Sequence, residues 1–154
     1  MKLFHGTDKT FTVPDLNVAR ANTDFGKGFY LTENESAAQD WVRGREVQNV
    51  NTYELTLEEI PTCKIRIKRY EADEQWAKFV YNNRKGEIKK GDSSDIVIGP
   101  IADNGLNKLF DKIDRKEASF EEIAPQLKLI KFKALQFCFK TEAAIKLLEY
   151  AKGK

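Results

Sequence analysis

The sequence predicts a single α+β domain over residues 1–154, built on a split, mixed or antiparallel sheet with flanking helices. Short runs of β-forming residues are interrupted by helical patterns without the regular βαβ alternation of a doubly wound fold. A length of 154 residues suits one domain with a real core and needs no disulfide or metal staples. The stretch Asp24-Phe25-Gly26-Lys27-Gly28-Phe29-Tyr30-Leu31-Thr32 reads as a ligand-gripping turn feeding a buried strand, and other candidate residues can be placed around it.

In chain order, Lys2-Leu3-Phe4-His5 forms a first strand stopped by Gly6, and a polar, turn-rich stretch follows through Pro14-Asp15 to Asn22. Gly26-Lys27-Gly28 allows positive φ or close approach of backbone to a ligand, and Phe29, Tyr30 and Leu31 form the next strand. Thr32-Glu33-Asn34-Glu35 has the spacing of a capping box, so a helix begins at about Ser36 with Ala37, Ala38, Trp41 and Val42 on one face. Tyr53, Leu55 and Leu57, then Cys63, Ile65 and Ile67, alternate with polar residues as half-buried strands do.

Asp73 caps a helix with Trp76, Phe79 and Val80 on one face, ending near Asn82-Asn83. Ile96-Val97-Ile98, closed by Gly99-Pro100, reads as a central strand, and Leu106, Leu109, Phe110 and Ile113 follow at helical spacing. Ser119 and Glu122 make a second capping box, opening a short helix that Pro125 should terminate early. In Ala134–Thr141, Leu135, Phe137 and Phe139 take one face of a strand and Gln136 and Cys138 the other. Thr141 caps a last helix carrying Ala144, Ile145, Leu147 and Leu148.

Met1-Lys2-Leu3-Phe4 runs straight into His5-Gly6, leaving no signal-peptide apolar core, and no run reaches membrane-spanning length. A cytoplasmic protein without membrane partners is the expectation. Cys63 and Cys138 stand far apart without ligand-spaced companions, which argues against zinc and implies no disulfide. A net charge of +2 argues against a strongly basic nucleic-acid binder. The distribution is uneven: residues 1 to 61 carry 6 basic and 10 acidic groups, residues 62 to 90 carry 9 and 4, and residues 104 to 154 carry 11 and 7. If the two basic segments share a face, a phosphate-bearing partner can dock there.

His5-Gly6-Thr7 at the end of the first strand, Phe25-Gly26-Lys27-Gly28-Phe29-Tyr30, and a late strand beginning with a polar residue together resemble the ADP-ribosyltransferase superfamily. The resemblance is closer to its diphtheria-toxin and poly-ADP-ribose-polymerase branch, marked by a His, Tyr and acidic triad on three strands. It runs without a gap from Tyr30 through Ser36 to Trp41. Trp76-x-x-Phe79, Asn83-Arg84, Asp95 to Ala102 and Phe139-Lys140-Thr141 further resemble a bacterial family catalogued as domain of unknown function 3990, within that superfamily.

The resemblance implies a fold, a co-substrate and a set of roles. His5 would hydrogen-bond the adenosine ribose of NAD, Gly6 would clamp the nicotinamide carboxamide through its backbone, and Tyr30 would stack on the nicotinamide with Trp41 covering its other face. Thr7, Gly26, Lys27 and Gly28 complete the expected NAD-binding set, and no metal is required. A serine that anchors the carboxamide in many polymerases aligns with Ala38, and the triad acid has its best counterpart in Gln136, which cannot supply a full negative charge. The catalytic set is therefore His5, Tyr30 and Gln136, with Asp95 and Asp103 as substitute acids, and mono-transfer is favoured over chain elongation. The implied function is an NAD-dependent mono-ADP-ribosyltransferase acting on a macromolecule, as a bacterial toxin of a toxin–antitoxin or phage-defence module. RNA or DNA is slightly favoured over protein as acceptor, and an antitoxin protein is the other expected partner. Two alternatives keep the fold: an NAD- or ADP-ribose-binding module without transfer, motivated by Ala38 and Gln136, and an RNA-binding domain with a vestigial cleft.

Overall fold

The computed structural model describes residues 1–9, 12–56, 58, 64–87, 93–102 and 104–153. Leu57, Cys63 and Asp103, singled out above, lie outside the described residues. Among the described residues seven strands form one sheet: β1 (Lys2–Thr7), β2 (Phe29–Thr32), β3 (Asn49–Glu54), β4 (Ile67–Arg69), β5 (Ile96–Pro100), β6 (Leu135–Phe139) and β7 (Glu149–Gly153). Their order is β4-β5-β6-β2-β1-β3-β7. The β4–β5 pair is parallel and the other pairs are antiparallel, so the α+β class with a mixed sheet holds.

The two faces of the sheet carry separate cores, as period-two alternation requires. Leu3, Phe29, Leu31, Tyr53, Phe137 and Phe139 pack on one face with Ala144 and Ile145 of the one-turn helix α5 (Glu142–Ile145). Cys138 and Val97 point to the other face, against helices α2 (Glu74–Lys85), α3 (Asn104–Asp114) and α4 (Phe120–Leu127). Helix α1 (Glu35–Trp41) packs on β1, β2 and β3.

Several local expectations hold at the atomic level. Asp73 Oδ1 accepts the Trp76 amide at 2.9 Å, and Ser119 Oγ accepts the Glu122 amide at 3.2 Å. Thr141 Oγ1 likewise takes the Ala144 amide at 3.2 Å.

Others are corrected. Strand β1 does not stop at Gly6 but runs to Thr7, because β3 keeps pairing with it at Gly6 opposite Val50 and Thr7 opposite Asn49. The cap of α1 is Asn34, whose Oδ1 accepts the Ala37 amide at 3.0 Å, so the helix begins at Glu35. Thr32 is buried in the sheet between Phe4 and Gln136, and its hydroxyl reaches only the Asn34 amide at 3.2 Å. Helix α2 runs past Asn83 to Lys85, where Gly86 supplies the left-handed C-cap at φ 69°. Pro125 lies within α4 without ending it. The proline faces solvent, and the Glu121 carbonyl it cannot bond lies at an exposed residue open to water. Of the expected strand through Cys63, Ile65 and Ile67, the described residues form β4 from Ile67 onward, with Ile65 buried just before it. The last helix stops at Ile145, and β7 follows as an unforeseen strand that covers the edge of β3.

Candidate functional site

Strands β1 and β2 touch at one register pair, Phe4 opposite Thr32, and a cavity of about 810 Å³ opens where they part. His5, Gly6 and Thr7 line it from β1, and Gly28, Phe29 and Tyr30 from the turn and start of β2. Trp41 reaches it from the end of α1, Gln136 from β6 and Arg84 from α2. The loop between β1 and β2 closes it with residues that include Asp24.

His5 sits at the parting of the strands. Its Nδ1 lies 2.6 Å from the Tyr30 carbonyl oxygen. A carbonyl can only accept, so Nδ1 carries the proton and Nε2 is left as an acceptor. The ring lies 4.2 Å from the Phe29 ring, centroid to centroid. Burial pushes the imidazole pKa down to about 4, more than the bond to Tyr30 raises it, so His5 is neutral at pH 7.

Tyr30 is held by its hydroxyl, which accepts the Phe25 amide at 2.8 Å and donates to the Gly26 carbonyl at 2.5 Å. Burial drives its pKa far upward, keeping the phenol protonated. The hydroxyl thus fixes the turn, and Tyr30 is one of the residues lining the cavity. Trp41 is half-buried at the same cavity.

The glycines serve the packing of the protein itself. A Cβ on Gly6 would lie 2.0 Å from the Ala38 carbonyl oxygen, so Gly6 lets α1 sit directly on β1. A Cβ on Gly28 would lie 2.4 Å from Cys138 Sγ and 2.9 Å from the Phe139 carbonyl oxygen, so the missing side chain lets β6 approach closely. Gly26 takes φ +86° and turns the chain. Neither Gly26 nor Lys27 lines the cavity.

Gln136 is 4% exposed and faces the cavity from the start of β6. The Leu135 amide before it donates to Glu33 Oε1 at 3.0 Å, tying the start of β6 to the end of β2. Gln136 Nε2 donates to the Pro100 carbonyl at 3.3 Å and to Asp24 Oδ2 at 3.2 Å. Asp24 Oδ1 in turn accepts from Arg84 Nε at 2.7 Å, and Arg84 donates from its other arm to Asn107 Oδ1 at 2.6 Å. Asp95 is not at the site. Its carboxylate accepts the Arg66 amide and the Thr141 hydroxyl, each at 2.8 Å. Gln136 pairs with Gly99, and Asp95 lies four residues down that strand, about 13 Å away.

The structure thus brings together His5, Gly6, Thr7, Gly28, Tyr30, Trp41 and Gln136, and leaves out Gly26, Lys27 and Asp95. Asp24 and Arg84 are among the cavity residues that sequence reasoning missed. Asp24 opens the stretch Asp24–Thr32 and Arg84 belongs to the Asn83-Arg84 pair noted above, but nothing in the linear order joins them to Gln136. Helix α2 from the first basic segment and α3 from the second both contact α4. Several cations of the two segments are already paired: Lys78 with Glu74, Lys85 with Asp114 and Lys133 with Asp40.

Among the described residues no group of His, Cys, Asp and Glu is placed to hold a metal ion, and no helix is long and apolar enough to cross a membrane.

Fold and site define an α+β protein with a mixed seven-stranded sheet and a ligand-sized cleft where its central strands part. The model of a family described as a protein of unknown function, DUF3990, matches residues 1–150, and the chain belongs to that family. No curated protein and no solved structure matches it.

Proposed function

We propose that this protein is an NAD-dependent mono-ADP-ribosyltransferase whose site is the cleft between β1 and β2. The observation that carries the reading is the convergence on one cavity of His5, Tyr30, Trp41 and Gln136 from β1, β2, α1 and β6. It is supported by the sequence resemblance to the ADP-ribosyltransferase superfamily, which involves the same residues. The parting of β1 and β2 after one register pair agrees with the split sheet that the resemblance implies.

Each group has chemistry suited to NAD. Neutral His5 offers Nε2 to accept a ribose hydroxyl, and its Nδ1 bond to Tyr30 fixes the ring orientation. The rings of Tyr30 and Trp41 supply aromatic surface for the planar nicotinamide, with cation–π attraction while it is still cationic. Gln136 offers its Oε1 to a hydroxyl on the nicotinamide-side ribose, orienting C1′ for attack. The bond from C1′ to the nicotinamide nitrogen breaks with its electron pair going to the nicotinamide, and an acceptor lone pair closes on C1′. The acceptor's proton leaves to water, and ADP-ribose remains on the acceptor.

The acceptor belongs to the same proposal: a macromolecule, with nucleic acid ahead of protein because residues 62–90 and 104–154 carry an excess of basic groups. A role as toxin of a toxin–antitoxin or phage-defence module rests on the resemblance alone. The test is nicotinamide release from NAD labelled in its ADP-ribose part, by the purified protein with cell extract, followed by nuclease or protease digestion to find which removes the label from the macromolecular fraction. Release that falls sharply in a folded His5→Ala protein supports the reading. Absence of NAD binding and of release in the native protein refutes it.

A further inference from the structure

A neutral Gln136 supplies none of the negative charge that the proposed chemistry calls for, since bond breaking develops positive charge on the ribose. That charge stands next door. The Asp24 side chain is 21% exposed, lines the same cavity, and has an oxygen 3.2 Å from Gln136 Nε2. Its other oxygen is fixed by Arg84 Nε at 2.7 Å, and Arg84 is itself braced by Asn107. Both Gln136 donors point at protein acceptors, Asp24 and the Pro100 carbonyl, so toward a ligand Gln136 can offer only its carbonyl oxygen.

We propose that Asp24 is the catalytic carboxylate of this cleft, delivered by the loop before β2, and that Gln136 divides the task with it. This rests on the NAD-cleavage reading above. Gln136 Oε1 accepts the ribose hydroxyl, and Asp24 supplies the charge that stabilises the oxocarbenium-like ribose as the C1′–nitrogen bond breaks. The Gln136 amide group bridges the two by donating to Asp24. Arg84 and Asn107 are positioning residues that hold the carboxylate at the cavity wall before any ligand arrives.

The arrangement can be inverted, and the inversion is the test. Asp24→Asn keeps an oxygen for Arg84 and removes the charge, and should lower kcat for nicotinamide release on the order of 10²-fold with little change in KM for NAD. Gln136→Glu alone sets two carboxylates against each other across the 3.2 Å contact and should also lower kcat. The double variant Asp24→Asn/Gln136→Glu restores one charge and one amide across that contact, and should recover at least about tenfold over either single variant. Recovery stays incomplete because the Pro100 carbonyl loses its donor. A folded Asp24→Asn protein with kcat within about threefold of native, or a folded double variant no better than the singles, overturns the role of Asp24. Should Asp24→Asn fail to fold, the double variant is read against native alone: kcat within about tenfold supports the role and a larger loss overturns it. Native protein that cleaves NAD while Asp24→Asn cleaves equally well removes only the Asp24 assignment. Native protein that does not cleave NAD removes the transferase reading itself and the Asp24 role with it.

Discussion

Acidification should destabilise this protein through one side chain. His5 is its single histidine, and its pKa falls from 6.5 to about 4 on folding, burial being the larger cause. Between those two values the unfolded chain binds a proton that the folded one does not, so stability is present in full above pH 6.5 and is lost as pH drops toward 4. The whole effect is about 3 kcal/mol, of which about 2 kcal/mol is lost between pH 7 and pH 5. Unfolded Asp and Glu remain mostly ionised at pH 5, so carboxylate titration contributes little in this window. The perturbation is His5→Asn, whose Nδ2 can stand in for Nδ1 toward the Tyr30 carbonyl but does not titrate. Urea unfolding of both proteins at pH 7 and pH 5 measures the difference. Native protein should lose about 2 kcal/mol more than His5→Asn, which at this chain length is roughly 4–8 °C in Tm. Equal pH dependence in the two proteins, within about 0.5 kcal/mol, would falsify the neutral buried imidazole.

Three further outcomes follow from the site. Tyr30→Phe keeps the ring but unpins the 23–26 turn from Phe25 and Gly26, so it should cost about 1–2 kcal/mol of stability while NAD affinity, measured by calorimetry, stays near native; Tyr30→Ala should lose both. Trp41→Ala should weaken NAD by about 1 kcal/mol, read as an approximately fivefold rise in KM with kcat nearly unchanged, and an unaltered KM would take Trp41 out of the clamp. Gly6→Ala forces a methyl against the Ala38 carbonyl, 2.0 Å from the ideal Cβ, and should lower stability by about 3 kcal/mol as α1 is pushed off β1; a native-like melting curve would contradict that packing.

The local rules were legible in the sequence. Asp73 and Ser119 cap where their spacing to Trp76 and Glu122 says, and the alternation in β6 already puts Gln136 and Cys138 on one face and Phe137 and Phe139 on the other. Where two local signals compete, the sheet decides. Thr32 and Asn34 are both good caps, but Thr32 is paired on both sides within the sheet, so Asn34 starts the helix. Strand β7 has one β-forming residue, Tyr150, among charged and small ones, too few to show a strand pattern, and it forms because β3 offers it an edge.

For the site, the sequence by itself determined which residue types sit at the strand ends: His5 and Gly6 on β1, Tyr30 on β2 and Gln136 on β6. Only the tertiary structure decided how they are used. That Gly28 serves the approach of β6, that His5 is neutral with its proton on Nδ1, and that Asp95 is spent on Arg66 and Thr141 all depend on contacts between distant segments. Asp24, Arg84 and Gln136 lie 60 and 112 positions apart along the chain from Asp24, and hydrogen-bond periodicity within a strand or helix carries no information across such separations. The carboxylate reaches the cleft because antiparallel pairing of β2 with β6 and the packing of α2 on that face bring three unrelated segments to one wall.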